Sequence, residues 1–131
     1  MARVVIAEDE EGLRGFVARA LTLDGHEVTA AADGAEALDL IARHQGGFDL
    51  LLADVRMPVM DGIALALATA RDYPQITILL MTGYADQRER AHGLDALIHD
   101  VISKPLTLSQ IRTAVNDALG ADDGGRTTDD R

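Results

Sequence analysis

Four short apolar runs constrain this chain more than any other feature: VVIA (Val4 to Ala7), LLLA (Leu50 to Ala53), ITILLM (Ile76 to Met81) and LIHDVI (Leu97 to Ile102). Each is about strand length, and near-continuous hydrophobicity is the habit of strands covered on both faces, as in parallel sheets. A weaker strand, His26 to Ala31, fits the gap after the first run. Between the runs the period becomes helical. Leu13, Phe16, Val17, Ala20 and Leu21 share one stripe, as do Ala37, Leu38, Ile41 and Ala42, then Ile63, Leu67 and Ala70, and finally Leu108, Ile111, Val115 and Leu119. Each stripe predicts a helix lying on the sheet. Asp33 with Glu36 and Thr107 with Gln110 have capping-box spacing, and Asp24-Gly25 and Tyr73-Pro74 are stops. Ala85 to Leu94 carries few apolar residues, so a helix there is expected to be loosely anchored, a candidate moving part.

Strand and helix thus alternate five times, which predicts an α/β fold with an open five-stranded parallel sheet. Crossovers in such sheets are right-handed, and ligands bind outside the carboxyl ends of the strands. With 131 residues the chain suits one domain, expected over residues 1–119. The tail from Gly120 to Arg131 has almost no apolar content and is expected to be disordered. No apolar run approaches the roughly 20 residues that span a bilayer. Zero cysteines exclude disulfides and thiolate metal sites, and no export signal is visible, so a cytoplasmic location is expected. A formal net charge of −10 disfavours nucleic-acid and anionic-membrane partners, which need clustered Lys and Arg. Protein partners are expected.

The strand ends carry the chemistry. The first runs into Glu8, Asp9, Glu10 and Glu11, where a dinucleotide-binding or P-loop protein would place phosphate-holding glycines. For Glu10 and Glu11, stabilising a helix N-terminus is account enough. Glu8 and Asp9 sit at the strand end itself. The third strand ends on Asp54, which parallel topology brings beside Asp9; carboxylates crowded at low dielectric need a cation or protons. Oxygen-only ligands point to Mg²⁺. The fourth strand ends on Thr82-Gly83 and the fifth on Ser103-Lys104-Pro105, adding a hydroxyl and an ammonium at the same edge, beside an X-Pro bond able to be cis. His26, His44, His92 and His99 show no ligand spacing and read as structural or solvated.

The string Glu8-Asp9, Asp54 within DVRMPVMDG, Thr82-Gly83 and Lys104-Pro105 resembles the receiver domain of two-component response regulators, over about Ala2 to Leu119. The resemblance implies a (βα)5 flavodoxin-like, doubly wound fold with strand order 2-1-3-4-5, an arrangement that includes CheY among its standard examples. It implies that Asp54 is the phosphoacceptor, taking a phosphoryl group from a sensor histidine kinase or a histidine phosphotransfer protein. Asp9 and Asp54 would ligate Mg²⁺ directly, Glu8 directly or through water, and the backbone carbonyl of Arg56 would complete the protein's share. Lys104 would pair with a phosphoryl oxygen and Thr82 would turn its hydroxyl toward the phosphoryl group. Met57-Pro58 and Asp61-Gly62 read as turn and helix-start residues. One departure is Val101, where the family often carries an aromatic switch; Tyr84 is an aromatic near the site. Arg56 and Tyr84 are expected to flank the acyl phosphate and obstruct attacking water.

Only a polar tail follows the last stripe, which reads as a single-domain regulator: a signalling switch, not an enzyme, that catalyses only its own phosphorylation and dephosphorylation. Its output would be a phosphorylation-dependent change in surface around Ala85 to Ala118, as a monomer or weak dimer. Within single-domain receivers, MARVVIAEDEE, DVRMPVMDGIALA, TGY and VISKPLTL are similar to CpdR-type regulators of alphaproteobacteria, whose unphosphorylated members prime the ClpXP protease, which makes ClpX a candidate partner. The alternatives are a chemotaxis-type or phosphorelay receiver active when phosphorylated, an aspartyl-nucleophile phosphohydrolase, which generally needs an acid where Arg56 stands, and a degenerate scaffold.

Overall fold

The computed structural model describes residues 2–83, 91 and 93–122. Five strands, β1 (Arg3–Ala7), β2 (Glu27–Ala31), β3 (Leu50–Asp54), β4 (Thr77–Thr82) and β5 (Asp100–Ser103), form one parallel sheet in the order β2-β1-β3-β4-β5. Four helices are described: α1 (Glu11–Leu23), α2 (Gly34–Arg43), α3 (Gly62–Asp72) and, last, α4 (Leu108–Asp122). This is the predicted doubly wound α/β fold.

The solid runs form strands because both faces of the sheet are covered. Val4, Ile6, Leu50, Leu52, Leu79 and Met81 point to one side, packing with Val17 and Leu21 of α1 and with Ile111, Val115 and Ala118 of α4. Val5, Ala7, Leu51, Ala53, Ile78 and Leu80 point to the other, against Ala37 and Ile41 of α2 and Leu65 and Ala66 of α3. Fully burying one such aliphatic side chain is worth about 1.5–3 kcal/mol, so the two layers dominate the favourable side of folding.

The helix starts follow the sequence signals. Asp33 Oδ1 accepts from the Glu36 amide at 2.8 Å, and Asp61 Oδ1 from the Ala64 amide at 2.8 Å. Thr107 and Gln110 form a reciprocal box, the Thr107 amide donating to Gln110 Oε1 at 2.9 Å and the Gln110 amide to Thr107 Oγ1 at 3.1 Å. Asp24 caps the end of α1 and Gly25 follows at φ +93°, a conformation that glycine adopts without a Cβ penalty. No described helix is long and apolar enough to cross a membrane.

The elements differ in detail from the sequence expectations. The run Leu97 to Ile102 is not all strand: Leu97 is exposed and closes a turn, its amide donating to Leu94 O, and β5 begins at Asp100. The stripe Ile63, Leu67 and Ala70 is not the buried face of α3, which is Gly62, Leu65, Ala66 and Thr69. A helix reading GIALALATA has apolar residues all round, and its phase is set by Gly62, where a Cβ would lie 2.2 Å from Asp54 O. Phe16, Ala42 and Leu108 lie outside the buried stripes of their helices. The loosely anchored helix expected over Ala85 to Leu94 falls largely outside the described residues; of that segment Ala91 is fully buried and Leu94 packs against the same core. The expected tail lies outside the described residues from 123 onward.

Candidate functional site

Strand register assembles the site. Ala7 pairs with Ala53, so the next residues, Glu8 and Asp54, leave adjacent strands side by side on the same face. Asp54 pairs with Met81, one step before Thr82, and Thr82 pairs with Ser103, one step before Lys104. The Lys104 amide donates to Thr82 O at 2.8 Å, tying the last two strand ends together. The Lys104-Pro105 bond is cis. Groups far apart in the chain thus meet at one sheet edge.

Glu8, Asp9 and Asp54 each present a carboxylate oxygen, all within 4.8 Å of one another. Glu8 is fully buried, Asp54 is 5% exposed and Asp9 is exposed. Lys104 Nζ lies between two of them, 3.1 Å from Asp54 Oδ1 and 3.2 Å from Glu8 Oε1. Glu8 Oε2 accepts from the Glu10 amide at 3.0 Å, whereas Glu8 Oε1 faces the Lys104 ammonium. A cavity of about 410 Å³ opens onto these groups, lined also by Glu10, Arg56 and Gly83.

The electrostatics are those of a pocket short of positive charge. Burial pushes the Asp54 carboxyl above its ordinary range; Lys104 opposes this in part and Asp9 adds to it. Burial also raises Glu8, against the pull of the Glu10 amide and Lys104, with Asp54 adding to the rise. Burial disfavours the Lys104 ammonium, yet Asp54 and Glu8 outweigh it and hold the group above its ordinary range. Three carboxylates around one ammonium leave an excess of negative charge that a divalent cation offsets. The residues fit Mg²⁺: the ligand atoms are all oxygen, they lie within 4.8 Å of one another, and the fully buried Glu8 carboxylate has Lys104 as its one nearby cation among the described residues.

Of the site residues expected from sequence, Glu8, Asp9, Asp54, Arg56 and Lys104 line one pocket. Thr82, 2% exposed, ends the adjacent strand. Val101 is 3% exposed and packs in the core cluster that also holds Ala91 and Ile98. Tyr84 lies outside the described residues. Glu10, read as a helix-terminus acid, is the α1 N-cap: its Oε1 accepts from the Leu13 amide at 3.0 Å. Arg14 was missed. Its Nη1 donates to Glu8 O at 3.0 Å, and the available signal was a lone cation one turn into the helix that follows four acids.

The family model for the response regulator receiver domain matches residues 4–116. Response regulator MprA of Mycobacterium sp. (strain KMS) is 34% identical over 109 residues, 83% of this chain and 46% of MprA, so the chain spans about half the length of that relative. Sensor kinase CckA of Brucella abortus (strain 2308) is 36% identical over 123 residues, 93% of this chain and 13% of CckA. Among solved structures, a CheY-like receiver domain protein from Methanospirillum hungatei superposes with a TM-score of 0.86 at 25% identity, covering 95% of this chain and 98% of that one. The receiver domain of AraT from Geobacillus stearothermophilus gives 0.82 at 30% identity over 96% and 98%. Receiver domains are signalling switches phosphorylated on aspartate, and they bind Mg²⁺ at an acidic pocket. With the sheet order, the acidic strand ends and these similarities in agreement, the chain belongs to the response regulator receiver domain family.

Proposed function

We propose that Asp54 is the phosphoacceptor of this receiver. The observation that carries the reading is the placement of Asp54: buried at the end of a central strand, within 4.8 Å of two further carboxylates and 3.1 Å from an ammonium. Asp9, Asp54, Glu8 and the backbone carbonyl of Arg56 would hold Mg²⁺, which when bound offsets the charge that builds up between attacking and transferring oxygens. An Asp54 carboxylate oxygen attacks the phosphorus of a donor phosphohistidine; a P–O bond forms, the P–N bond breaks, and the imidazole leaves and takes up a proton. Lys104 follows the charge from the carboxylate to a phosphoryl oxygen, and the Thr82 hydroxyl donates to another. Arg56, which lines the same pocket, flanks the acyl phosphate and hinders attacking water.

The phosphodonor is a sensor histidine kinase or a histidine phosphotransfer protein; similarity to part of CckA, a sensor kinase, supports a place in such an exchange. The output is a change in protein binding on the face that includes β5 and α4, where a groove of about 550 Å³ runs between Ile102, Leu106 and Ala114. Because Val101 is packed in the core, coupling from Thr82 to that face does not run through a rotating aromatic at this position. The finer reading, supported by sequence motifs, is a CpdR-type adaptor that engages ClpX when unphosphorylated.

Incubation with Mg²⁺ and acetyl phosphate, followed by intact-mass measurement, tests the central assignment. Wild type should gain one phosphoryl group and Asp54→Asn none. An unmodified wild type, or an Asp54→Asn protein modified equally, would overturn it.

A further inference from the structure

We propose that Arg14 is a positioning residue for the cation pocket, an assignment that rests on the metal reading above. Glu8 lies where β1 stops and the chain must turn into α1. Its amide still belongs to the ladder, donating to Ala31 O at 3.1 Å, while its carbonyl has passed the last strand partner and accepts instead from Arg14 Nη1 at 3.0 Å. Its carboxylate is held from the other side by the Glu10 amide at 3.0 Å. One residue is therefore fixed at amide, carbonyl and carboxylate. Arg14 itself sits one turn into α1, half-buried, its amide donating to Glu10 O at 2.9 Å as part of the same helix start.

The arrangement matters because Glu8 and Asp9 are consecutive. A change in the ψ torsion of Glu8, which the direction of its carbonyl reports, would swing Asp9 relative to Glu8 and to Asp54, which β3 holds independently. The guanidinium that anchors the Glu8 carbonyl closes off that rotation. It also brings a positive charge toward four successive acids, Glu8 to Glu11, so two physical roles are available. They have opposite signs. A cation acting only through its charge competes with Mg²⁺, and its removal tightens metal binding. A group acting by orientation supports Mg²⁺, and its removal loosens it.

Mg²⁺ also demands near-ideal octahedral geometry, whereas Ca²⁺ tolerates a variable shell. Loss of orientation should therefore fall more heavily on Mg²⁺ than on Ca²⁺. Partners that orient metal ligands typically contribute about 10–100-fold in affinity, and one acting through the backbone should lie at or below the bottom of that range.

Titration calorimetry of the full chain with MgCl₂ and CaCl₂ tests the proposal in wild type, Arg14→Met and Arg14→Lys. Arg14→Met should weaken Mg²⁺ binding by about three- to tenfold, Ca²⁺ binding less, and Arg14→Lys should recover much of the loss by restoring a donor of similar reach. Tighter Mg²⁺ binding in Arg14→Met, an equal change for both ions, or a lowered melting temperature with unaltered affinities would each overturn it. Should Arg14→Met fail to fold, Arg14→Gln, whose amide is too short to reach the carbonyl, carries the same expectation. A wild type that binds neither ion would instead sink the metal reading itself.

Discussion

Glu8 and Asp54 are buried acids whose charged forms are expensive, and the pocket tolerates them because Lys104 lies 3.2 and 3.1 Å away. Both have folded-state pKa values raised above the ordinary 4.5 and 3.8. The folded state then binds protons more tightly than the unfolded chain across that window. The stability contributed is fully present below the ordinary values and is lost as pH rises through the raised ones. Bound Mg²⁺ favours the carboxylate forms, so the melting-temperature gain on adding excess Mg²⁺ should be larger at neutral pH than about two units lower. Thermal unfolding with and without the ion at both pH values measures this; a gain that grows on acidification would contradict it. Thr69 presents a second buried cost, since its Oγ1 is fully buried with no hydrogen-bond partner. Thr69→Val should stabilise by about 0.5–1 kcal/mol, or roughly 2–5 °C in melting temperature. A lowered midpoint would show that the hydroxyl is satisfied in solution.

At the scale of elements, α3 shows where sequence patterning stops being informative. Periodicity located the helix but not its inward face, because nearly every position of GIALALATA is apolar and any phase buries hydrophobic surface. Backbone geometry decides instead: Gly62 packs against Asp54 O and its amide donates to Val55 O at 2.8 Å, so the residue that sets the helix phase also braces the strand end bearing Asp54. Gly62→Ala should cost about 2–4 kcal/mol in denaturant unfolding, while Gly15→Ala, at an open position on α1, should gain about 0.5–1 kcal/mol. Equal effects would remove the packing argument. The fifth strand is shorter than its apolar run for a related reason. LIHDVI is apolar enough to be strand throughout, yet Leu97 and Ile98 donate backwards to Leu94 O, and pairing with β4 begins only where Asp100 meets Leu79. Competition between a turn and a ladder for the same amides leaves no mark on hydropathy.

For the whole molecule, the parallel sheet converts distance along the chain into proximity at one edge. That rule makes the acids, Asp54, Thr82 and Lys104 legible in the sequence, because each follows an apolar run and strands of one sheet end together. The burial of Val101 is legible too, since it lies in an apolar run expected to be covered on both faces, whereas the Arg14 contact is not, because it depends on a side chain reaching back six residues. The account stands on the chemistry of the central strand's last residue. After incubation with Mg²⁺ and acetyl phosphate, borohydride reduction converts an acyl phosphate on aspartate to the corresponding alcohol, and peptide mass spectrometry locates it. The reduced residue should be Asp54 alone; reduction mapped to Asp9, Glu8 or any other acid, or phosphate found on a hydroxyl side chain, would contradict the account.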